Sequence, residues 1–197
     1  MQLKNKDKKI IILNAAEKII ADFGIQNISM QKLANEAHVA AGTIYRYFDD
    51  KEDLLTEVFL YSTRQIAAAM QQGLENEVSV EKRYRIAWLN TWHLASTNLS
   101  LLLNRVQFDS IPLTGNDELR KKEKDMFPQI ELLFRDGKKN GIVKSLPNQM
   151  LITLSFGACI NMARRHALGY FQLDETDLEY MLQASWDAIT IHPNVEC

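Results

Sequence analysis

The chain has 197 residues, a mass of 22.6 kDa and a formal net charge of −2, with 46% apolar and 24% charged residues. That length carries one good core or a small module on a larger one, and that balance excludes a disordered or fibrous chain. The near-neutral total gives no global sign of a nucleic-acid partner, but it leaves room for a compact basic face.

Hydrophobic spacing is helical nearly throughout, without sustained strand alternation. The lysine-rich start "MQLKNKDKKIIILNAAEKII" has an apolar run interrupted by Asn14, Glu17 and Lys18 and no small-residue cleavage site, so it predicts no export signal. Ile12, Ala16, Ile19, Ile20 and Phe23 make the stripe of a first helix that Gly24 stops. Short helices follow over about 29–37 and about 41–48. Asp50 is placed to cap a fourth helix that runs past Tyr61 to about Gly73, with Asp53 at its third position. Ser79 caps a fifth helix with the stripe Tyr84, Trp88, Thr91, Trp92 and Ala95. A leucine-rich stretch, 99–108, ends at "SIPLTGND". Residues 117–140 read as one long charged helix with Met126, Ile130, Leu133 and Phe134 inward, and 148–169 and 175–190 as two closing helices.

The expected fold is therefore all-α, with about nine helices. A three-helix head, residues 1–50, stands before a larger helical body, residues 51–197. The most apolar stretch, 150–163, is shorter than the roughly 20 residues a bilayer demands. Cys159 and Cys197 lie far apart and outside any CxxC or Cys/His cluster, so they read as reduced thiols of a soluble, cytoplasmic protein.

Three short helices with a tight turn, "AHVAAG", between the second and third describe a helix-turn-helix, whose later helix enters the major groove of DNA. Leu33, Ala34, Ala37, Val39, Ile44 and Phe48 supply its packing. Thr43, Tyr45, Tyr47 and Lys51 are left for solvent or for a partner. A threonine methyl and hydroxyl suit base edges, a tyrosine ring suits thymine methyls, and Lys51 at a helix start suits a phosphate. Residues 1–48 hold seven basic and four acidic side chains, a balance of +3 that leaves −5 for the rest. Lys4, Lys6, Lys8 and Lys9 make the start of the chain a candidate arm along the phosphates.

From Ile12 to Leu55 the sequence resembles the TetR family of bacterial transcriptional regulators. The resemblance rests on Ala15-Ala16, Phe23-Gly24, Ile28-Ser29, Leu33-Ala34, Ala37, Val39, Gly42-Thr43-Ile44-Tyr45, Phe48 and Lys51-Glu52 with Leu54. It implies that Ser29, Met30 and Gln31 open the second helix beside phosphates. It places Ala41, Gly42, Thr43 and Tyr45 on the recognition helix and makes Tyr47 and Lys51 phosphate anchors. Three positions depart from the pattern. His38 stands where relatives often carry glycine, Ala40 replaces a hydroxyl cap, and Ala41 replaces a longer polar or basic residue. His38 is read as a turn residue.

The same resemblance implies a homodimer through the last two helices, presenting two heads to a palindromic operator on double-stranded DNA. The apolar run 150–163 suits such a buried helix, and Gly157, Ala158 and Ala163 allow close approach. Trp88, Trp92, His93, Phe108, Met126, Phe127, Phe134, Met162 and His166 are the candidate lining of an effector pocket. A body rich in Trp, Phe and Met suits an apolar or aromatic effector, with His93 and His166 to hydrogen-bond it. The expected function is a repressor released by that effector. The alternatives are an activator or effector-independent regulator of the same fold and, remotely, a helical adaptor or a small enzyme. The sequence has no HExxH, nucleotide loop, nucleophile elbow or metal-spaced cluster, so no metal, cofactor or catalytic residue is expected.

Overall fold

The computed structural model describes residues 2–98, 100, 101, 104, 107, 108 and 117–192, with side chains from Lys8 onward. The segment 109–116, most of the leucine-rich stretch, Cys197, and the side chains of Lys4 and Lys6 lie outside the described residues.

The α-helices are α1 Gln2–Phe23, α2 Met30–Glu36, α3 Ala41–Ile44, α4 Lys51–Gln71, α5 Val80–Thr97, α6 Asp117–Lys124, α7 Pro128–Lys139, α8 Asn148–Ile152, α9 Ala158–Ala167 and α10 Glu175–Ile189. A π-helical turn, Thr153–Gly157, joins α8 to α9 in one continuous helix, so the described residues hold nine such helices. Ser100, Leu101, Asn104, Gln107 and Phe108 are also helical. Among the described residues there is no β-strand, only an antiparallel bridge between Val143 and Thr190.

Two expected boundaries are corrected, and one expected helix holds an irregular turn. The helix expected over 117–140 is two, because Pro128 lacks an amide proton and disfavours helical backbone at Phe127, which sits at φ −113° and ψ 47°. The helix expected over 148–169 contains the π turn. The helix expected over 41–48 is α-helical only over Ala41–Ile44; thereafter Arg46 and Tyr47 donate to the carbonyls three residues back, and Phe48 donates to Ile44 as it enters the core. The start of the chain, the candidate arm along the phosphates, is helical from Gln2. Phe23 does not belong to the buried stripe: it is exposed, with the Lys32 ammonium 3.6 Å from its ring centroid.

The chain forms two compact units, Met1–Gln65 with Ser100–Met126, and Ile66–Leu99 with Phe127–Cys197. The first has its core in Ile12, Ala16, Ile19, Ile20, Leu33, Ile44, Phe48, Leu54, Val58 and Phe59, closed by Phe108 and Leu119. In the second, the expected α5 stripe is buried, and α5 packs mainly on α9. There the Arg83 guanidinium pairs with Asp136 at 3.0 Å, and the Tyr84 hydroxyl donates to Ser185 at 2.8 Å. α7 must pass close to the Val143 side chain: a Cβ on Gly137 would fall 2.5 Å from a Val143 methyl, so only glycine fits without a shift.

Candidate nucleic-acid interface

The helix-turn-helix is assembled by local chemistry. Gly24, at φ +87°, lets the chain leave α1. Ser29 caps α2, its hydroxyl accepting from the Lys32 amide at 3.2 Å. The turn to α3 places His38 at φ +53°, the one described non-glycine residue in that region. Glycine would adopt that backbone conformation without a steric cost. α3 starts at Ala40 without a side-chain cap. Asp50 caps α4: its carboxylate accepts from the Asp53 amide at 2.8 Å, while the Asp53 carboxylate accepts from Asp49 at 3.0 Å. The Lys18–Glu36 pair at 2.6 Å ties α1 to α2 and holds the Glu36 carboxyl below the ordinary glutamate range.

The expected interface residues differ in what they do. Tyr45 is 57% exposed, and Gln31, Gly42, Ser29 and Arg46 are also exposed. Gln31 donates to Asn35 at 3.3 Å. Thr43 is half-buried. Met30, Ala41 and Tyr47 are half-buried against the core, so these three also serve the packing of the head. Lys51 is in the first turn of α4, and its ammonium reaches the Gln26 carbonyl at 3.4 Å. At Gly42 φ is ordinary and an added Cβ would meet nothing within 4 Å. Neither backbone nor internal packing requires a glycine at that exposed position. Lys9 is engaged inside the unit, its ammonium 2.6 Å from Glu57 and 5.7 Å from the Phe48 ring centroid.

The sequence reading missed Asn104 and Gln107. Gln107 accepts from the Ile25 amide at 2.7 Å and donates to the Ile20 carbonyl at 3.0 Å; Asn104 donates to the Glu17 carbonyl at 2.9 Å. The signal was two amides three positions apart in a leucine-rich run.

The candidate effector residues divide between the units. Phe108 is fully buried in the first, edge-on to Phe59, and Met126 is half-buried against the same core. The rest belong to the second unit. Trp88 and Trp92 lie with rings parallel, centroids 6.1 Å apart, and the His166 ring is 5.5 Å from Trp92. Met162 is half-buried one turn before His166. His93, by contrast, is exposed. Phe127 is half-buried before Pro128. Phe134 is buried in a separate ring cluster with Phe156, Tyr84 and Trp186.

Among the described residues no group of His, Cys, Asp or Glu is arranged to hold a metal, and no helix is long and apolar enough to cross a membrane. The family model for "Bacterial regulatory proteins, tetR family" matches residues 12–58, and that for "Tetracyclin repressor-like, C-terminal domain" matches residues 79–190. A regulator of the helix-turn-helix type from Haemophilus influenzae is 31% identical over 90% of this chain and 93% of its own. The solved structure of a TetR family regulator from Vibrio parahaemolyticus is 52% identical over 94% of this chain and 100% of its own, with a TM-score of 0.86. FadR from Bacillus subtilis, solved in complex with stearoyl-CoA, is 21% identical over 93% of this chain and 100% of its own. Its TM-score of 0.68 marks a shared fold.

Proposed function

The chain belongs to the TetR family of bacterial transcriptional regulators, and we propose that it works as a homodimeric repressor released from a palindromic operator by a small, largely apolar or aromatic effector. It is a DNA-binding regulator, not an enzyme. The observation that carries the reading is the face of α3, where Tyr45 is exposed beside Gly42, a glycine that the chain's own packing does not need. A missing side chain at that point lets a DNA backbone or base edge come close. Residues 1–50 hold most of the DNA-contacting surface: Ser29, Gln31, Thr43 and Tyr45 reach the duplex, and Met30, Ala41 and Tyr47 set the helices while touching its edge; Lys51, just beyond them at the start of α4, meets a phosphate.

Residues 51–197 supply the effector site and the dimer face. Leu154 and Ala158 are exposed on the π turn and α9, and Tyr180 and Ala184 on α10. Exposed apolar groups on the last two helices suit burial against a second copy. The two-fold axis then sets the heads on successive major grooves, about 34 Å apart. An effector that favours a body with another head spacing lowers operator affinity. The protein acts in the cytoplasm, at the nucleoid.

Selection of bound fragments from genomic DNA tests this. The expected outcome is an inverted repeat, bound by a dimer in sedimentation, whose reporter is silenced by the protein. Fragments with no common motif, or a monomer on the DNA at micromolar concentration, would refute the reading. A reporter switched on rather than off makes it an activator of the same fold.

A further inference from the structure

Resting on that effector reading, we infer that the effector is a neutral carbonyl compound on a ring-bearing apolar body, and that the Trp88 indole N–H holds its oxygen. Trp88 is fully buried, and its Nε1 has no hydrogen-bond partner. A buried donor left unmatched is costly, and an acceptor brought by a ligand recovers that cost.

The groups around Trp88 favour the same ligand chemistry. The Cys159 thiol is 3.8 Å from the Trp88 carbonyl and donates to it. The Leu173 amide donates to His166 Nδ1 at 3.2 Å, so a neutral His166 ring carries its proton on Nε2, a second donor beside Trp92. Thr91 is occupied, its hydroxyl donating to the Ala87 carbonyl at 2.7 Å. The Trp88 N–H is thus left without an acceptor of the protein's own. A ligand that brings an acceptor to this N–H satisfies it. Burial pushes the Cys159 thiol up, the mark of a dry surrounding in which a carboxylate anion would lose its hydration. The parallel faces of Trp88 and Trp92 suit a flat apolar ring.

Acetophenone and ethylbenzene test this, since they share ring and size and differ in a carbonyl for a methylene. Both are titrated into the full-length protein carrying ¹⁵N-tryptophan, and the Trp88, Trp92 and Trp186 indole peaks are followed. Acetophenone is expected to bind about tenfold tighter and to shift the Trp88 N–H downfield. In Trp88→Phe the two compounds are expected to bind alike. Wild-type peaks carry the result if that variant does not fold, because Trp92→Phe and Trp186→Phe then assign Trp88 by elimination. Equal affinities in the wild type, no binding of either compound, or an unmoved Trp88 peak would overturn the inference. Binding to the selected genomic fragments is measured in the same samples. Loss of DNA binding without any ligand refutes the regulator reading; intact DNA binding with no ketone preference refutes only the carbonyl.

Discussion

Gln107 accepts the backbone amide of Ile25 at 2.7 Å across 82 residues of sequence, and the same side chain donates to the Ile20 carbonyl. The two partners flank Gly24, the bend between α1 and the rest of the helix-turn-helix. The Ile25 amide opens a short 3₁₀ turn and has no helical acceptor of its own, so the glutamine completes it. Asn104 takes the Glu17 carbonyl a turn earlier, while the Glu17 carboxylate accepts from Ser62 and Gln65 on α4. The end of α1 is thus held from two sides.

Gln107→Leu keeps the volume and removes both bonds. It should cost about 2 kcal/mol, roughly 1 kcal/mol for each bond, read from urea unfolding. The Ile25 amide should exchange faster with solvent, and operator affinity should fall because the start of α2 is no longer fixed. Unchanged exchange at Ile25 would remove Gln107 from this role.

Tyr45 and Lys51 separate recognition from charge. Tyr45→Ala removes an exposed side chain, so stability should change by no more than about 0.5 kcal/mol. Operator binding, followed by fluorescence anisotropy, should drop by at least tenfold, about 1.4 kcal/mol. Lys51→Ala should weaken binding to all sequences alike and flatten the plot of log affinity against log salt by about one unit. A full slope in that variant would take Lys51 off the phosphates.

Where a signal was local, the sequence disclosed it. Ser79 and Asp50 each cap the helix expected of them, because a hydroxyl or carboxylate before an apolar-periodic run needs only the next three amides. The buried stripe on α5 was legible for the same reason. Pro128 was visible too, but a charged pattern that stayed in register on both sides masked it. The π turn has no comparable mark. Phe23 followed the helical period yet lies in the open at the last position of α1, with the Lys32 ammonium over its ring. At the interface, the exposed residues were readable from their polarity. The packing of Met30, Ala41 and Tyr47 was not, since it depends on how three short helices cross. Gln107 depends on a contact from a distant part of the chain.

Acid should loosen both units. Lys18 lowers the Glu36 carboxyl, Arg85 lowers Glu179, Arg83 lowers Asp136, and the Ser79 amide lowers Glu77. A carboxyl with a depressed value in the folded state contributes stability above its unfolded value, and loses it as pH falls through the folded one. Melting temperature should therefore hold from neutral pH down to about the ordinary glutamate value of 4.5 and decline below it. Glu36→Gln should flatten that decline by a part; an identical acid profile would mean the Lys18 pair adds nothing.

The turn before α3 leaves stability unclaimed. His38 occupies the left-handed region at φ +53°, where a side chain costs on the order of 1 kcal/mol, and Ala40 starts α3 with no cap. Ala40 has the extended backbone, φ −67° and ψ 143°, that a capping serine adopts. Ala40→Ser should therefore stabilise by about 1 kcal/mol, its hydroxyl accepting an amide in the first turn of α3. His38→Gly should stabilise by less, about 0.5 kcal/mol, because glycine also gains freedom in the unfolded chain. Urea midpoints at constant slope measure both. The two sites are near enough to couple, so the double variant is compared with the sum of the singles. If α3 is ordered only on meeting the duplex, Ala40→Ser should also tighten operator binding, since part of the ordering is then done beforehand. A serine variant that is more stable but binds DNA no better would show α3 to be already set in the free protein.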